Sequence, residues 1–332
     1  MTRIVLTRSM LPSDVGYIQN GLDRVVKGKY ELVVPPDFTE EAIAESAVEA
    51  DVLLGPYVTQ HILGKCRKLK LIQIPWTGMD TFDFSAVEGC RVPICNTHSN
   101  ADSVAEFGMA LTLDLLKKVS FHDRKMRKGN WNREQKPLTL KSVMLSSQKV
   151  CILGCGRIGK KLAGYYLAFG ASVTGIVQRV AATENDDISY CSFSEADNAL
   201  QEADIVVCAL PLTEETRGML NADFFKKCKP GMLLINLSRA AIIQEDDLFS
   251  ALSSGEIGGF ASDVWWNPPL RGKSESYPSH NPFWEMDQVV LSPHRAGFVE
   301  NCFPHLDGAI ENIANLILDK PLQNLVDVQK KY

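Results

Sequence analysis

Lys149-Val-Cys-Ile-Leu153 runs straight into Gly154-Cys-Gly156-Arg-Ile-Gly159 and then into an apolar helical stretch from Lys160 to Phe169. The first run reads as a buried strand. The glycines that follow ask three different things of the backbone. Gly154 gives a tight turn, Gly156 lets a pyrophosphate approach the main chain, and Gly159 permits close helix-strand packing. The helix that follows presents its N-terminal N–H donors and positive dipole to an anion, and Arg157, Ile158 and Gly159 of the turn are expected cofactor contacts. Strand, turn and helix in this order describe a dinucleotide-binding unit. The alternative is a glycine-rich turn that only packs tightly.

Downstream, Ser172-Val-Thr-Gly-Ile-Val177, Ile205-Val-Val-Cys-Ala209, Leu233-Leu-Ile-Asn236, Gly258-Gly-Phe-Ala-Ser262 and Val289-Val-Leu-Ser292 continue the strand pattern, mostly with helical segments between them. The end of the strand after the glycine turn selects the dinucleotide. An acid there accepts from the ribose hydroxyls and repels a 2′-phosphate. This chain has Val177 there, followed by Gln178 and Arg179, whose guanidinium suits a phosphate. The pattern favours NADP and leaves NAD open, with Arg179 as a plain surface charge in the second case.

Upstream, Ile4-Val-Leu-Thr7, Asp51-Val-Leu-Leu54, Leu69-Lys-Leu-Ile-Gln-Ile74 and Val92-Pro-Ile-Cys95 alternate with amphipathic stretches, the rhythm of a second parallel sheet. From Ala101 to about Lys128 the pattern becomes one long helix, opened by Ser99 or Asn100, and a last helical run covers Val299 to Leu318. If that run returns to the first sheet, the fold class is α/β with two doubly wound parallel-sheet domains. A Rossmann cofactor domain (100–296) is then inserted into a flavodoxin-like substrate domain (1–99 and 297–332).

The 332 residues are 45% hydrophobic and 23% charged, with a net charge of -5 and no basic block. Nothing here offers a footprint for nucleic acid or a membrane surface, so small molecules are the expected partners. The N-terminus lacks a signal-peptide core and no stretch reaches the 18 apolar residues of a membrane span, which predicts a cytoplasmic protein. Nine scattered cysteines show no metal-ligand spacing and are expected to be reduced and buried, and no metal site is expected.

Three further runs resemble the D-2-hydroxyacid dehydrogenase family: Cys208-Ala-Leu-Pro-Leu-Thr-Glu-Glu-Thr-Arg-Gly-Met-Leu-Asn221, Lys229-Pro-Gly-Met-Leu-Leu-Ile-Asn-Leu-Ser-Arg-Ala-Ala241 and Leu291-Ser-Pro-His-Arg-Ala-Gly297. Asn100-Ala-Asp-Ser-Val-Ala-Glu106 belongs to the same pattern, which extends from about residue 70 to 300. The resemblance implies a catalytic Arg239, an acid/base His294 and a substrate-carboxylate loop at Trp76, Thr77, Gly78 and Met79. It also implies cofactor contacts at Leu210 and Pro211, Asp263 near the nicotinamide carboxamide, and a homodimer. Each role has physical sense. A guanidinium fork can hold a carboxylate and the adjacent carbonyl in register. An imidazole is a suitable proton donor to an oxygen gaining charge, and loop N–H groups can form an anion nest. The bland alternatives are a structural ion pair for Arg239, a core position for His294 and a simple turn at Gly78. His98 and His305 are further candidates for the cleft, while His61, His122 and His280 look peripheral. Trp76, Trp265, Trp266, Phe298 and Phe303 are candidates for the pocket wall or for the core.

One departure stands out. The family pattern places a Glu 29 residues after the catalytic Arg to pair with the His; here Asp263-Val-Trp-Trp-Asn-Pro-Pro269 puts Pro268 there. Proline has no side-chain acceptor, and Glu275 is the nearest downstream acid. Without a carboxylate, His294 is expected to titrate lower and keto-acid reduction to shift toward acid. The primary expectation is hydride transfer between NADP(H) or NAD(H) and a small 2-keto or 2-hydroxy acid. The alternatives are a nucleotide-binding sensor with weakened catalysis and a formate-type dehydrogenase.

Overall fold

In a computed structural model, which describes residues 1–131, 141–180, 187–270, 273–300 and 302–332, the chain divides into two compact units. One comprises Met1–Asn100 and Gly297–Tyr332, the other Ala101–Ala296. The second is therefore an insertion in the sequence of the first.

The first unit contains β1 (Thr2–Leu6), α1 (Pro12–Val26), β2 (Tyr30–Val33), α2 (Glu40–Ser46), β3 (Val52–Leu54), α3 (Gln60–Lys65), β4 (Leu71–Gln73) and β5 (Ile94–Cys95). Its sheet is parallel throughout, in the order β2-β1-β3-β4-β5. Alternation along β1 decides the two faces: Ile4 and Leu6 enter one core, Val5 the other.

The second unit begins with α4 (Ala101–Lys117) and α5 (Val119–Met126). It continues through β6 (Lys149–Leu153), α6 (Arg157–Ala168), β7 (Ser172–Val177), β8 (Ser189–Ser192), α7 (Asp197–Glu202), β9 (Ile205–Cys208) and α8 (Ala222–Lys227). It closes with β10 (Met232–Asn236), α9 (Glu245–Ser254), β11 (Ile257–Ser262) and β12 (Val289–Leu291). The seven parallel strands lie in the order β12-β11-β10-β9-β6-β7-β8, so the order reverses beside β6. Cys151 and Leu153 of β6 pack into one core layer, Val150 and Ile152 into the other. The second layer is covered by α4 and α6, tied by a buried 2.7 Å hydrogen bond between the Thr112 and Tyr166 hydroxyls. The chain then returns to the first unit through α10 (Pro304–Ile317).

Both sheets are doubly wound, the larger with the Rossmann strand order and the smaller with the flavodoxin order. Several boundaries differ from the sequence expectation. The single helix expected from Ala101 to Lys128 is two, because Lys118 takes a left-handed φ of 56° and interrupts it. Periodicity continues across such a break, so the pattern alone misses it. Two edge strands, β2 and β8, were not expected: their residues are partly buried or exposed and lack the apolar runs of the inner strands. The final helix begins at Pro304 rather than Val299, with proline in its first turn; Asn301 lies outside the described residues.

All nine cysteines are free thiols, none of them exposed. Burial pushes Cys151, Cys208 and Cys228 up to about 12, which keeps them protonated at neutral pH. Among the described residues no group of His, Cys, Asp or Glu is arranged to hold a metal ion, and no helix is long and apolar enough to cross a membrane.

Candidate active site

Each glycine of the turn after β6 occupies a distinct environment. Gly154 has a φ of +88°, open to glycine and strained for other residues, and an added Cβ would lie 2.9 Å from the Ala209 carbonyl oxygen. At Gly159 an added Cβ would lie 2.4 Å from the Gly154 carbonyl oxygen, because the first turn of α6 rests directly on the glycine turn. Gly156 is the N-cap of α6 and faces open space: nothing stands within 4 Å of its added Cβ. No side chain caps this helix. Its first N–H groups and the space over Gly156 together fit a bound pyrophosphate. The helix starts at Arg157, not Lys160, so Arg157, Ile158 and Gly159 form its first turn.

Because every strand of this sheet is parallel, the ends of β7, β9, β10, β11 and β12 share the edge that carries this turn. Gln178 and Arg179 follow β7, the immediate neighbour of β6, and are exposed. Leu210 and Pro211 follow β9; the Leu210 carbonyl accepts a hydrogen bond from the Ser238 hydroxyl beyond β10. Arg239 leaves the end of β10 partly buried. Its turn is braced by Asn236, whose Oδ1 accepts from the Ser238 N–H at 3.0 Å and whose Nδ2 donates to the Arg239 carbonyl at 3.2 Å. The Arg239 Nη1 donates to the Ser238 carbonyl at 3.0 Å.

Asp263, at the end of β11, is 2% exposed. Its Oδ1 accepts from the Ser292 hydroxyl at 2.5 Å and the Arg295 N–H at 2.7 Å, and its Oδ2 from the Ala296 N–H at 2.9 Å. These bonds clamp the turn after β12 on both sides of His294, which is exposed and held at a left-handed φ of 57°. A non-glycine residue at that φ costs roughly 1–2 kcal/mol, offset by three bonds to a buried carboxylate. Asp263 thus has a structural duty that the sequence did not reveal, with capacity left on Oδ2 for one further donor. His294 is a surface residue, which removes the core alternative.

In the first unit, the turn after β4 carries Trp76, Thr77, Gly78 and Met79. The Thr77 hydroxyl donates to the Thr97 carbonyl at 2.8 Å, and Asn96 Nδ2 donates to the Thr77 carbonyl at 2.8 Å. Among the described residues no acceptor meets the N–H groups of Thr77, Gly78 or Met79. Three consecutive N–H groups on a braced loop are thus left without an internal acceptor, and loop donors of this kind can bind a small anion. The loop is held from below by buried Gln73, which donates to the carbonyls of Ile74, Cys95 and Asn96 and accepts from Asn312 of α10 at 3.0 Å.

Other candidates fall elsewhere. Trp265 and Trp266 pack against the core and donate to the carbonyls of Ser292 and Ile243 at 3.0 and 3.3 Å. Phe303 packs against the first unit's core; Phe298 is exposed. Pro268 is exposed, and Glu275 is exposed with no hydrogen bond or ion pair among the described residues. Its segment is fastened instead through His280, which pairs with Glu245 at 2.9 Å and Asp246 at 2.7 Å at the start of α9.

Residues 109–296, more than half of the chain, match the profile of the D-isomer specific 2-hydroxyacid dehydrogenases, NAD binding domain. The chain belongs to this family. A glyoxylate reductase of Aeropyrum pernix is 29% identical over 333 residues, covering 98% of this chain and 96% of the relative. A chloroplastic/mitochondrial formate dehydrogenase of Arabidopsis thaliana is 31% identical over 243 residues, covering 73% of this chain and 61% of the relative. The chain spans only half to about three-fifths of the length of several curated relatives it matches. An NADPH-dependent glyoxylate/hydroxypyruvate reductase of Sinorhizobium meliloti shares the fold, with a TM-score of 0.78 at 22% identity and full coverage of both chains.

The family's glycine turn generates a prediction here. Gly159→Ala must displace backbone and is expected to lower stability by about 1–3 kcal/mol, whereas Gly156→Ala should stay within about 0.5 kcal/mol of the parent. Urea unfolding of both variants checks this; equal losses would contradict the two environments.

Proposed function

We propose that this protein reduces small 2-keto acids to 2-hydroxy acids with NADPH, or with NADH, and catalyses the reverse oxidation. The observation that carries the reading is that Arg239 and His294 leave the same sheet edge as an uncapped, glycine-lined helix N-terminus. The first turn of α6 and Gly156 would hold the pyrophosphate, and Leu210, Pro211 and the spare acceptor of Asp263 would bound the nicotinamide end. The bound nicotinamide supplies or accepts the hydride.

The chain's own residues do the rest. Thr77, Gly78 and Met79 hold the substrate carboxylate through their N–H groups. Arg239 spans carboxylate and carbonyl oxygen with its planar fork and stabilises the charge that grows on that oxygen. His294 donates the proton that the oxygen requires and takes it back during oxidation. Reduction therefore consumes the imidazolium form and falls as pH rises through the imidazole range, while oxidation moves the other way. The first unit is the substrate domain and the second the dinucleotide domain. A cytoplasmic homodimer completes the proposal: nine free thiols suit a reducing compartment, and the large apolar side chains of Val119, Met126, Trp131, Val143 and Met144 are left exposed, as a second copy would require.

Steady-state assays with glyoxylate, pyruvate, hydroxypyruvate and phenylpyruvate test the reading. Arg239→Ala is expected to lower turnover about 100- to 1000-fold, with dinucleotide affinity within about threefold of the parent because Arg239 binds the acid and not the nucleotide. Unchanged turnover would remove the clamp. Dinucleotide binding without turnover of any keto acid would point to a sensor, and turnover of formate alone to the formate-type reaction.

Arg179 supplies a separate prediction. Arg179→Ala should weaken NADP about 10- to 100-fold, the worth of a charge-assisted hydrogen bond, and leave NAD nearly unchanged. Equal weakening of both in a binding titration would discard the 2′-phosphate contact.

A further inference from the structure

The smaller sheet has its own reversal of strand order. The chain leaves β1 toward β2 on one side and β3 on the other, and such reversals open a crevice at the carboxyl ends of the strands. Thr7 follows β1 and Gly55 follows β3. They lie side by side, with the Thr7 N–H donating to the Leu54 carbonyl at 2.9 Å. Gly55 has a φ of +134°, and an added Cβ there would lie 2.6 Å from Thr7 Oγ1. The Thr7 hydroxyl is fully buried and has no hydrogen-bond partner among the described residues. Such orphans are rare in folded proteins and mark places where the fold leaves hydrogen-bonding capacity unspent.

Arg8 comes next. It is exposed, and its guanidinium lies 4.8 Å from the centroid of the Trp76 ring. That cation–π contact holds the guanidinium over the ring while leaving its edge donors open. Its one hydrogen bond is a long 3.4 Å contact from Nε to the Ser9 carbonyl, and no carboxylate lies within ion-pair distance among the described residues. The neighbouring acids are engaged: Asp14 accepts from the Leu11 N–H and the Ser13 hydroxyl, and Asp307 accepts from the Tyr17 hydroxyl. The nearby His305 is held below its ordinary pKa by burial, which leaves Arg8 as the charged donor of this corner.

We propose that Arg8 is a specificity-determining residue that binds a second anionic group on the keto acid, either a carboxylate or a phosphate ester. The inference rests on the reductase reading and extends it to substrate class. Trp76, which carries Arg8 on its face, opens the loop whose N–H groups receive the first carboxylate. A substrate with one negative charge is matched by that loop; a second anionic group gives Arg8 its partner.

The test compares the parent with Arg8→Gln and Arg8→Lys on 2-oxoglutarate and oxaloacetate, on 3-phosphohydroxypyruvate, and on glyoxylate and pyruvate. The readout is the ratio of kcat/KM for the doubly anionic acid to that for glyoxylate. The parent should prefer one of the two anionic classes, and which one identifies the group. Arg8→Gln should collapse that ratio about 10- to 100-fold. Arg8→Lys should retain more of it for a phosphate, which accepts a point charge, than for a carboxylate, which prefers the planar fork. A ratio that Arg8→Gln leaves unchanged overturns the inference while the reductase reading stands. If no acid is turned over, calorimetric titration with the same dianions decides: binding lost in Arg8→Gln sustains the anion site without the reaction, and equal binding to both proteins overturns it.

Discussion

Parallel strand direction is the constraint on which the larger unit depends. A parallel strand cannot be followed by a hairpin, so each must be joined by a crossover, and all carboxyl ends then fall on one edge. In a seven-stranded sheet that edge gathers the glycine turn after β6, Arg179 after β7, Leu210 after β9, Arg239 after β10, Asp263 after β11 and His294 after β12. Residues separated by more than a hundred positions in sequence reach one edge because of strand direction alone. The chemistry proposed for them needs no further folding device.

What turns an edge into a site is the bracing of its loops by buried polar groups. Asp263 spends three acceptor positions on the His294 turn, Asn236 spends both ends of its amide on the Arg239 turn, and Gln73 with Asn312 supports the loop at Thr77–Met79. Such groups are costly to bury unless satisfied, at about 1–3 kcal/mol for each one left without a partner. Their satisfaction therefore holds each turn to a single geometry. A proton donor and a guanidinium clamp both need that: a small misplacement of reacting groups erodes most of the advantage of holding them.

Much of this was legible in the sequence, and the reasons are local. The apolar run Lys149–Leu153 and its glycine spacing predict strand, turn and helix because Gly154 and Gly159 answer steric demands that no other residue meets, while Gly156 leaves open the space that a pyrophosphate needs. The inner strands are legible for the same reason: burial on both faces requires continuous apolar runs. The edge strands β2 and β8 escape because partial exposure relaxes that requirement. The break at Lys118 escapes because a left-handed residue leaves no mark on a periodic pattern. Among site residues, Arg239 and His294 stand out through the family resemblance. The bracing role of Asp263 does not, since it depends on a turn about thirty residues away. Asn236 left a weak signal, an Asn two residues before the N–H it accepts, the ordinary Asx-turn spacing. Arg8 left none, because its meaning comes from Trp76, which is distant in sequence and close in space.

The central claim is that the dinucleotide and the keto acid exchange a hydride on this protein. The most direct measurement is to supply NADPH, and separately NADH, deuterated at C4 of the nicotinamide with each of the small 2-keto acids, and to locate the label in the product by NMR. Deuterium is expected at C2 of the hydroxy acid, in a single enantiomer. A hydroxy acid without deuterium, from either face-labelled cofactor, or no hydroxy acid at all from a protein that binds the dinucleotide, would contradict it.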